Sequence, residues 1–150
     1  MSPAPEAGAS STRTGPSLLS WRPPATVAAE VGMAAKDEVG RYGEDVAVRA
    51  LQGLGWTILD RNWRCRVGEI DIVALDGGEA VIVEVKTRRG ARFGTPAEAV
   101  THAKVARLRR LAAAWLATQE RRFSGVRIDV IAVECQRTGA ALVDHLRGVG

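Results

Sequence analysis

The stretch 68-GEIDIVALDGGEAVIVEVK-86 decides how this chain is read. Glu69–Leu75 alternates, Asp76-Gly77-Gly78 is a turn, and Ala80–Lys86 is a second strand-forming run, so the segment predicts a β-hairpin. Successive side chains of a strand point to opposite faces. Strict alternation groups Glu69, Asp71 and Val73 on one face, against Ile70, Ile72 and Ala74. On the second strand it groups Ile82, Glu84 and Lys86, against Val81, Val83 and Val85. The hairpin therefore lets Asp71 and Glu84 converge, with Lys86 beside them. Three ionised groups among Ile, Val and Ala are costly unless they bind something. A hard divalent cation suits such carboxylates: Mg²⁺ takes one or two of them, with waters and substrate phosphate oxygens. The plainer use of the same residues is a cross-strand ion pair, worth about 0.2–1 kcal/mol when exposed.

Upstream, Val39, Val46, Ala47, Ala50, Leu51 and Leu54 recur at helical spacing over about Lys36–Leu54, with Gly43 on the same stripe and Gly53 and Gly55 at the end. At 100° per residue, Glu44 falls at the border of that stripe and can lean over a sheet edge, whereas Asp45 points away as a solvated charge. Trp56–Asp60 predicts a short strand, and Arg61–Arg66 an arginine-rich connection or strand. Downstream, Arg88–Gly94 reads as a basic loop. Thr95-Pro96-Ala97-Glu98 is a capping box with proline at the first helical position. It opens a helix to about Gln119 that buries Val105, Leu108, Leu111, Ala112, Trp115 and Leu116. Val126–Glu134 and Ala141–Leu146 predict two more strands. The order α-β-β-β-α-β-β is an α/β fold, a mixed sheet with a helix on each side.

Composition narrows the function classes. Of the 150 residues 46% are apolar, 25% charged and 5% aromatic, near the average for a globular chain. The longest purely apolar run, Leu111–Ala117, has seven residues, against the roughly 20 of a membrane-spanning helix; no membrane is expected as a partner. Residues 1–32 hold five of the six prolines and a Ser/Thr/Gly-rich stretch, and read as a disordered extension lacking a secretory signal. Residues 33–150 form the domain, with Met33 the expected functional start. Cys65 and Cys135 lack disulfide-framework or zinc spacing, which points to a reducing, cytoplasmic setting. The net charge of +4 belongs wholly to residues 33–150, because Arg13 and Arg22 cancel Glu6 and Glu30. Excess positive charge on a small domain points to a polyanionic partner or an anionic surface. Lys86, Arg88, Arg89 and Arg92 form one basic run; Lys104, Arg107 and Arg110 recur along the second helix, on the face away from Leu108 and Trp115. A solvated face is the plain reading of such spacing. A phosphate backbone passing the candidate metal strand is the functional one, with Arg64 joining the set. Trp56, Trp63 and Trp115 read as core or half-buried; of the three, Trp63, between Asn62 and Arg64, is the candidate for stacking on a base. Asp129 is expected to pair locally with an arginine, and His102 and His145 have no ligand-spaced partner.

These residues carry a resemblance. Gly68-Glu69-Ile70-Asp71-Ile72-Val73 followed by Val83-Glu84-Val85-Lys86-Thr87-Arg88 resembles the PD-(D/E)XK nuclease signature, with isoleucine in place of proline before Asp71. The wider set is similar to the YraN-like uncharacterised protein family: Gly40-Arg41-Tyr42-Gly43-Glu44, Gly55-Trp56, Asn62-Trp63-Arg64, Phe93-Gly94-Thr95-Pro96 and a basic helix. That family is similar in architecture to archaeal Holliday-junction resolvases, and the likeness covers residues 38–135. It implies a restriction-endonuclease-like fold and a metal-dependent endonuclease, a hydrolase of phosphodiesters in structured or duplex nucleic acid, with DNA repair or recombination as the setting. It implies Asp71 and Glu84 as ligands of Mg²⁺ or Mn²⁺, Glu44 completing the shell directly or through water, and Lys86 orienting or deprotonating water or stabilising the transition state. A homodimer is implied by junction-resolving relatives, since two symmetric cuts need two sites, although no dimer patch is legible. The alternatives are a catalytically silent nucleic-acid-binding or protein-interaction module on the same fold, and a component of a larger repair, transformation or envelope-associated complex.

Overall fold

Apolar residues spaced for two helices and five strands assemble, in the computed structural model, into α1 (Gly32–Gly53), β1 (Thr57–Cys65), β2 (Gly68–Asp76), β3 (Glu79–Arg89), α2 (His102–Leu116), β4 (Gly125–Cys135) and β5 (Leu142–Leu146). The structure describes residues 32–89 and 100–150; the expectations for residues 1–31, the Thr95–Glu98 capping box and Arg92 lie outside them. The strands form one mixed sheet in the spatial order β1-β2-β3-β4-β5. β3 and β4 run parallel and the other neighbours antiparallel. A parallel pair needs a long crossover, and α2 lies within it.

The sheet separates two apolar layers. On one side Tyr42, Val46, Ala47, Val48 and Leu51 of α1 pack with Trp56 onto Ile72, Ala74, Val81, Val83, Ile131 and Val133. On the other, Leu108, Leu111, Ala112 and Trp115 of α2 cover Ile70, Val73, Ala80, Ile82 and Ile128. β3 alternates as its sequence predicts, with Val81, Val83 and Val85 toward α1 and Ile82 toward α2. Glu84 and Lys86 follow Ile82 on the α2 side.

Of the two readings of Arg61–Arg66, connection or strand, the structure takes the strand for Arg61–Cys65, which continues β1 and pairs with β2 through Cys65↔Gly68. Other expectations are corrected. Arg88 and Arg89 belong to β3, held by the parallel register with Glu134 and Cys135, so they are strand residues and not a loop. The second helix does not run unbroken from Pro96. Thr101 is extended and caps a new start, its Oγ1 accepting the Lys104 backbone N–H at 3.2 Å. Leu54, counted on the apolar stripe, is 51% exposed, since α1 has ended at Gly53.

Candidate active site

β2 and β3 pair residue by residue from Asp76↔Glu79 to Ile72↔Val83, and the register stops there. The next residue of β2 is Asp71. Its Oδ2 accepts the Val85 backbone N–H at 2.8 Å, filling the position that a β2 carbonyl would otherwise take. A side chain thus substitutes for the ladder, and the two strands part around a carboxylate. The alternation of β2 breaks at the same point: Ile70 packs in the α2 layer and Ile72, two residues on, in the α1 layer. This corrects the strict alternation expected from sequence, which placed both on one face. Asp71 sits at the switch between the layers.

β1 stays paired with β2 here, but its backbone turns irregular opposite Asp71. Arg61↔Ile72 and Trp63↔Ile70 bracket Asn62, which therefore faces Asp71 in the register. Asn62 has φ +52°, the one non-glycine residue with positive φ among the described residues; asparagine tolerates this region better than most. Its Nδ2 donates to Glu44 Oε1 at 2.9 Å, while Arg61 Nη2 donates to Asp45 Oδ1 at 2.8 Å. Glu44 and Asp45 of α1 are thus gripped by two successive residues of β1. Asp45, expected as a solvated charge, is exposed but paired.

Burial pushes the Asp71 carboxyl up to about 7; the Val85 N–H opposes this, and the charges of Glu84, Glu44 and Glu69 add to it. Among the described residues, Asp71 Oδ1 and both Glu84 oxygens make no hydrogen bond or ion pair. On α2, the Lys104 amine lies beside Lys86. That proximity, then burial and the charges of Lys86 and Arg107, lowers the Lys104 pKa against the opposing pull of Glu84. Arg107 reaches over Gly68. A carboxylate pair and an amine pair therefore adjoin where the strands part.

The structure brings together Asp71, Glu84, Lys86 and Lys104, with Glu44 near enough for its charge to act on Asp71. No three His, Cys, Asp or Glu side chains among the described residues form a group able to hold one ion, so the acidic centre is the pair Asp71–Glu84. Two partly buried carboxylates that, among the described residues, receive one hydrogen bond in all and no cation fit a divalent ion that needs only one or two protein carboxylates. Arg64 is exposed and pairs with Glu69 at 3.5 Å. Arg88 is half-buried, and Arg89 and Arg110 are exposed. Trp63 rests half-buried on the α2-side core with Leu59 and Cys65, as its core or half-buried reading expects.

Two features escaped the sequence reading. One is the role of Asn62, which entered only as part of the Asn62-Trp63-Arg64 motif and as an asparagine inside a strand-forming run. The other surrounds Asp129, fully buried on β4. Its expected arginine partner is Arg127, which donates from Nε at 2.9 Å and Nη2 at 3.1 Å. His145, expected to stand alone, shares Asp129 Oδ2 at 2.8 Å, and the Gly148 N–H donates to Oδ1 at 3.0 Å. Arg127 also reaches Asp76 and Glu79 of the hairpin. This network lies by Trp56 on the α1 side, away from the face that carries Glu84 and Lys86.

The chain was compared with known proteins. Residues 43–133 match the Uncharacterised protein family UPF0102. A UPF0102 protein of Beutenbergia cavernae is 58% identical over 118 residues, 79% of this chain and 100% of the relative. One from Frankia casuarinae is 56% identical over 116 residues, covering 77% and 98%. One from Mycolicibacterium vanbaalenii is 52% identical over 118 residues, covering 79% and 98%. With a match that spans every element from the middle of α1 to β4 and takes in Glu44, Asp71, Glu84 and Lys86, the chain belongs to the UPF0102 family.

Proposed function

We propose that the protein is a Mg²⁺- or Mn²⁺-dependent endonuclease that hydrolyses phosphodiester bonds in duplex or branched nucleic acid, most naturally DNA. One observation carries the reading: the β2–β3 register stops at Ile72↔Val83, and the next residue, Asp71, takes the Val85 N–H on its carboxylate beside Glu84, with no cation bonded to either among the described residues. The likeness to the PD-(D/E)XK signature gives these positions the same use.

Asp71 and Glu84 would hold the ion. When bound, it supplies a Lewis acid for a phosphoryl oxygen and lowers the pKa of its water. The chain's own part is positioning and charge. The Val85 N–H fixes the Asp71 carboxylate in one orientation. Lys86, on the same face as Glu84, holds positive charge where the phosphoryl oxygens gain negative charge, with the Lys104 amine beside it. Arg107 and Arg110 continue the basic side along α2 toward the flanking backbone. Contacts of this kind read phosphate and not sequence, so base specificity is expected to be low.

The test is cleavage of junction, flap, duplex and single-stranded DNA and of RNA, each with Mg²⁺ and Mn²⁺. The expected result is metal-stimulated cutting of a duplex or branched substrate, abolished in Asp71→Ala and Glu84→Ala with substrate binding retained. No metal-stimulated cutting of any substrate overturns the catalytic reading. A second reading, a silent binding module on the same fold, draws on the lack of a three-ligand group among the described residues. It predicts nucleic-acid or protein binding that the two alanine variants leave untouched, with no metal dependence.

A further inference from the structure

In a regular strand neighbouring side chains leave on opposite faces. Arg61 and Asn62 are neighbours in β1, yet both bond to α1, to Asp45 and Glu44 respectively. The left-handed backbone at Asn62 makes this possible. Asn62 also stands opposite Asp71, where β2 switches its own facing. The left-handed residue of β1 and the switch of facing in β2 thus lie at one level of the sheet, on paired strands.

α1 meets this level of the sheet at Gly43. A Cβ there would overlap the Thr87 side chain, so the helix backbone lies directly on β3 one residue beyond Lys86. The next residue of α1 is Glu44. Helix approach sets where its backbone lies, and the Asn62 amide sets where its carboxylate points.

We propose that Asn62 is a positioning residue for the acidic centre: its left-handed backbone and its amide together hold Glu44 toward Asp71 as an outer carboxylate. The inference rests on the metal-site reading above and adds to it a residue with no ionisable group. An amide that binds a carboxylate near an ion restricts its orientation, and loss of such a partner typically costs about 10–100-fold in metal affinity.

Glycine adopts positive φ without steric cost, so Asn62→Gly keeps the backbone and deletes only the amide. Glu44→Gln approaches from the other side, keeping an oxygen for Asn62 and removing the charge. The experiment titrates Mn²⁺ into wild type, both single variants and the double variant, with thermal midpoints measured in parallel. Asn62→Gly is expected to weaken Mn²⁺ binding about tenfold at an unchanged midpoint, and the double variant to bind no more weakly than Glu44→Gln alone. A lowered midpoint with unchanged Mn²⁺ affinity makes Asn62 purely structural and overturns the proposal, as does full additivity of the two substitutions. Wild type that takes up no Mn²⁺ is a different failure: it overturns the metal reading, and this proposal with it.

Discussion

Gly43 shows how much one missing atom positions. A glycine inside a helix normally costs up to about 1 kcal/mol relative to alanine, so Gly→Ala there usually stabilises. Here the added Cβ would meet the Thr87 Cβ as well as the tips of its side chain, and no rotation of Thr87 clears it. Gly43→Ala should therefore destabilise by about 1–3 kcal/mol, the usual cost of overpacking. Urea unfolding reads this directly: a lower midpoint supports the close approach of α1 to β3, and a higher one contradicts it. At this scale the sequence was legible for Asp71, Glu84 and Lys86, whose types and spacing are unusual within apolar strands. It was silent on the role of Asn62. A left-handed residue in a strand leaves no periodic trace, and its partner Glu44 is eighteen residues away in α1.

β4 shows how a buried ionic group ties elements together. Asp129 joins β4 to β5 through His145 and to the end of the chain through Gly148, while Arg127 carries the link on to the β2–β3 turn. Burial alone would raise the Asp129 pKa, but hydrogen bonds from His145, Arg127 and Gly148 outweigh it and hold the group near 2. The unfolded value is about 3.9. The folded pKa is the lower one, so the stabilisation is complete above about pH 4 and is lost as pH falls toward 2. It amounts to about 2–3 kcal/mol. Acid unfolding between pH 5 and 2 should show this loss in wild type and a flatter profile in Asp129→Asn; equal profiles would contradict the assignment. The elements themselves were largely legible, because β2, β3, β4 and β5 follow turn residues and β-branched runs. The second half of β1 stayed open between connection and strand, since Arg61 and Arg64 obscure its apolar period. The described helix begins later than expected because the sequence offers the cap pattern at Thr95 as well, while Thr101 makes the bond that begins α2.

Over the whole molecule the fold separates its charges by face. Glu84 and Lys86 lie on the side covered by α2, with Lys104 and Arg107 beside them. The Asp129 network lies on the side covered by α1. If Lys104 and Arg107 meet phosphates, Lys104→Gln and Arg107→Gln should each reduce the salt slope of duplex binding by about 0.9. Binding measured across a salt series checks this, and an unchanged slope would leave both as solvated charges. The order of elements, the two cores and the pairing of the central hairpin could all be foreseen from hydrophobic period and turn chemistry. The parting of β2 from β3 could not, because it depends on one side chain replacing one carbonyl. That replacement is the heart of the account, and calorimetric titration of Mn²⁺ into wild type, Asp71→Ala and Glu84→Ala tests it most directly. The account predicts saturable uptake by wild type that is lost in both variants while they remain folded. Uptake that is the same in all three proteins, or absent from wild type, would contradict it.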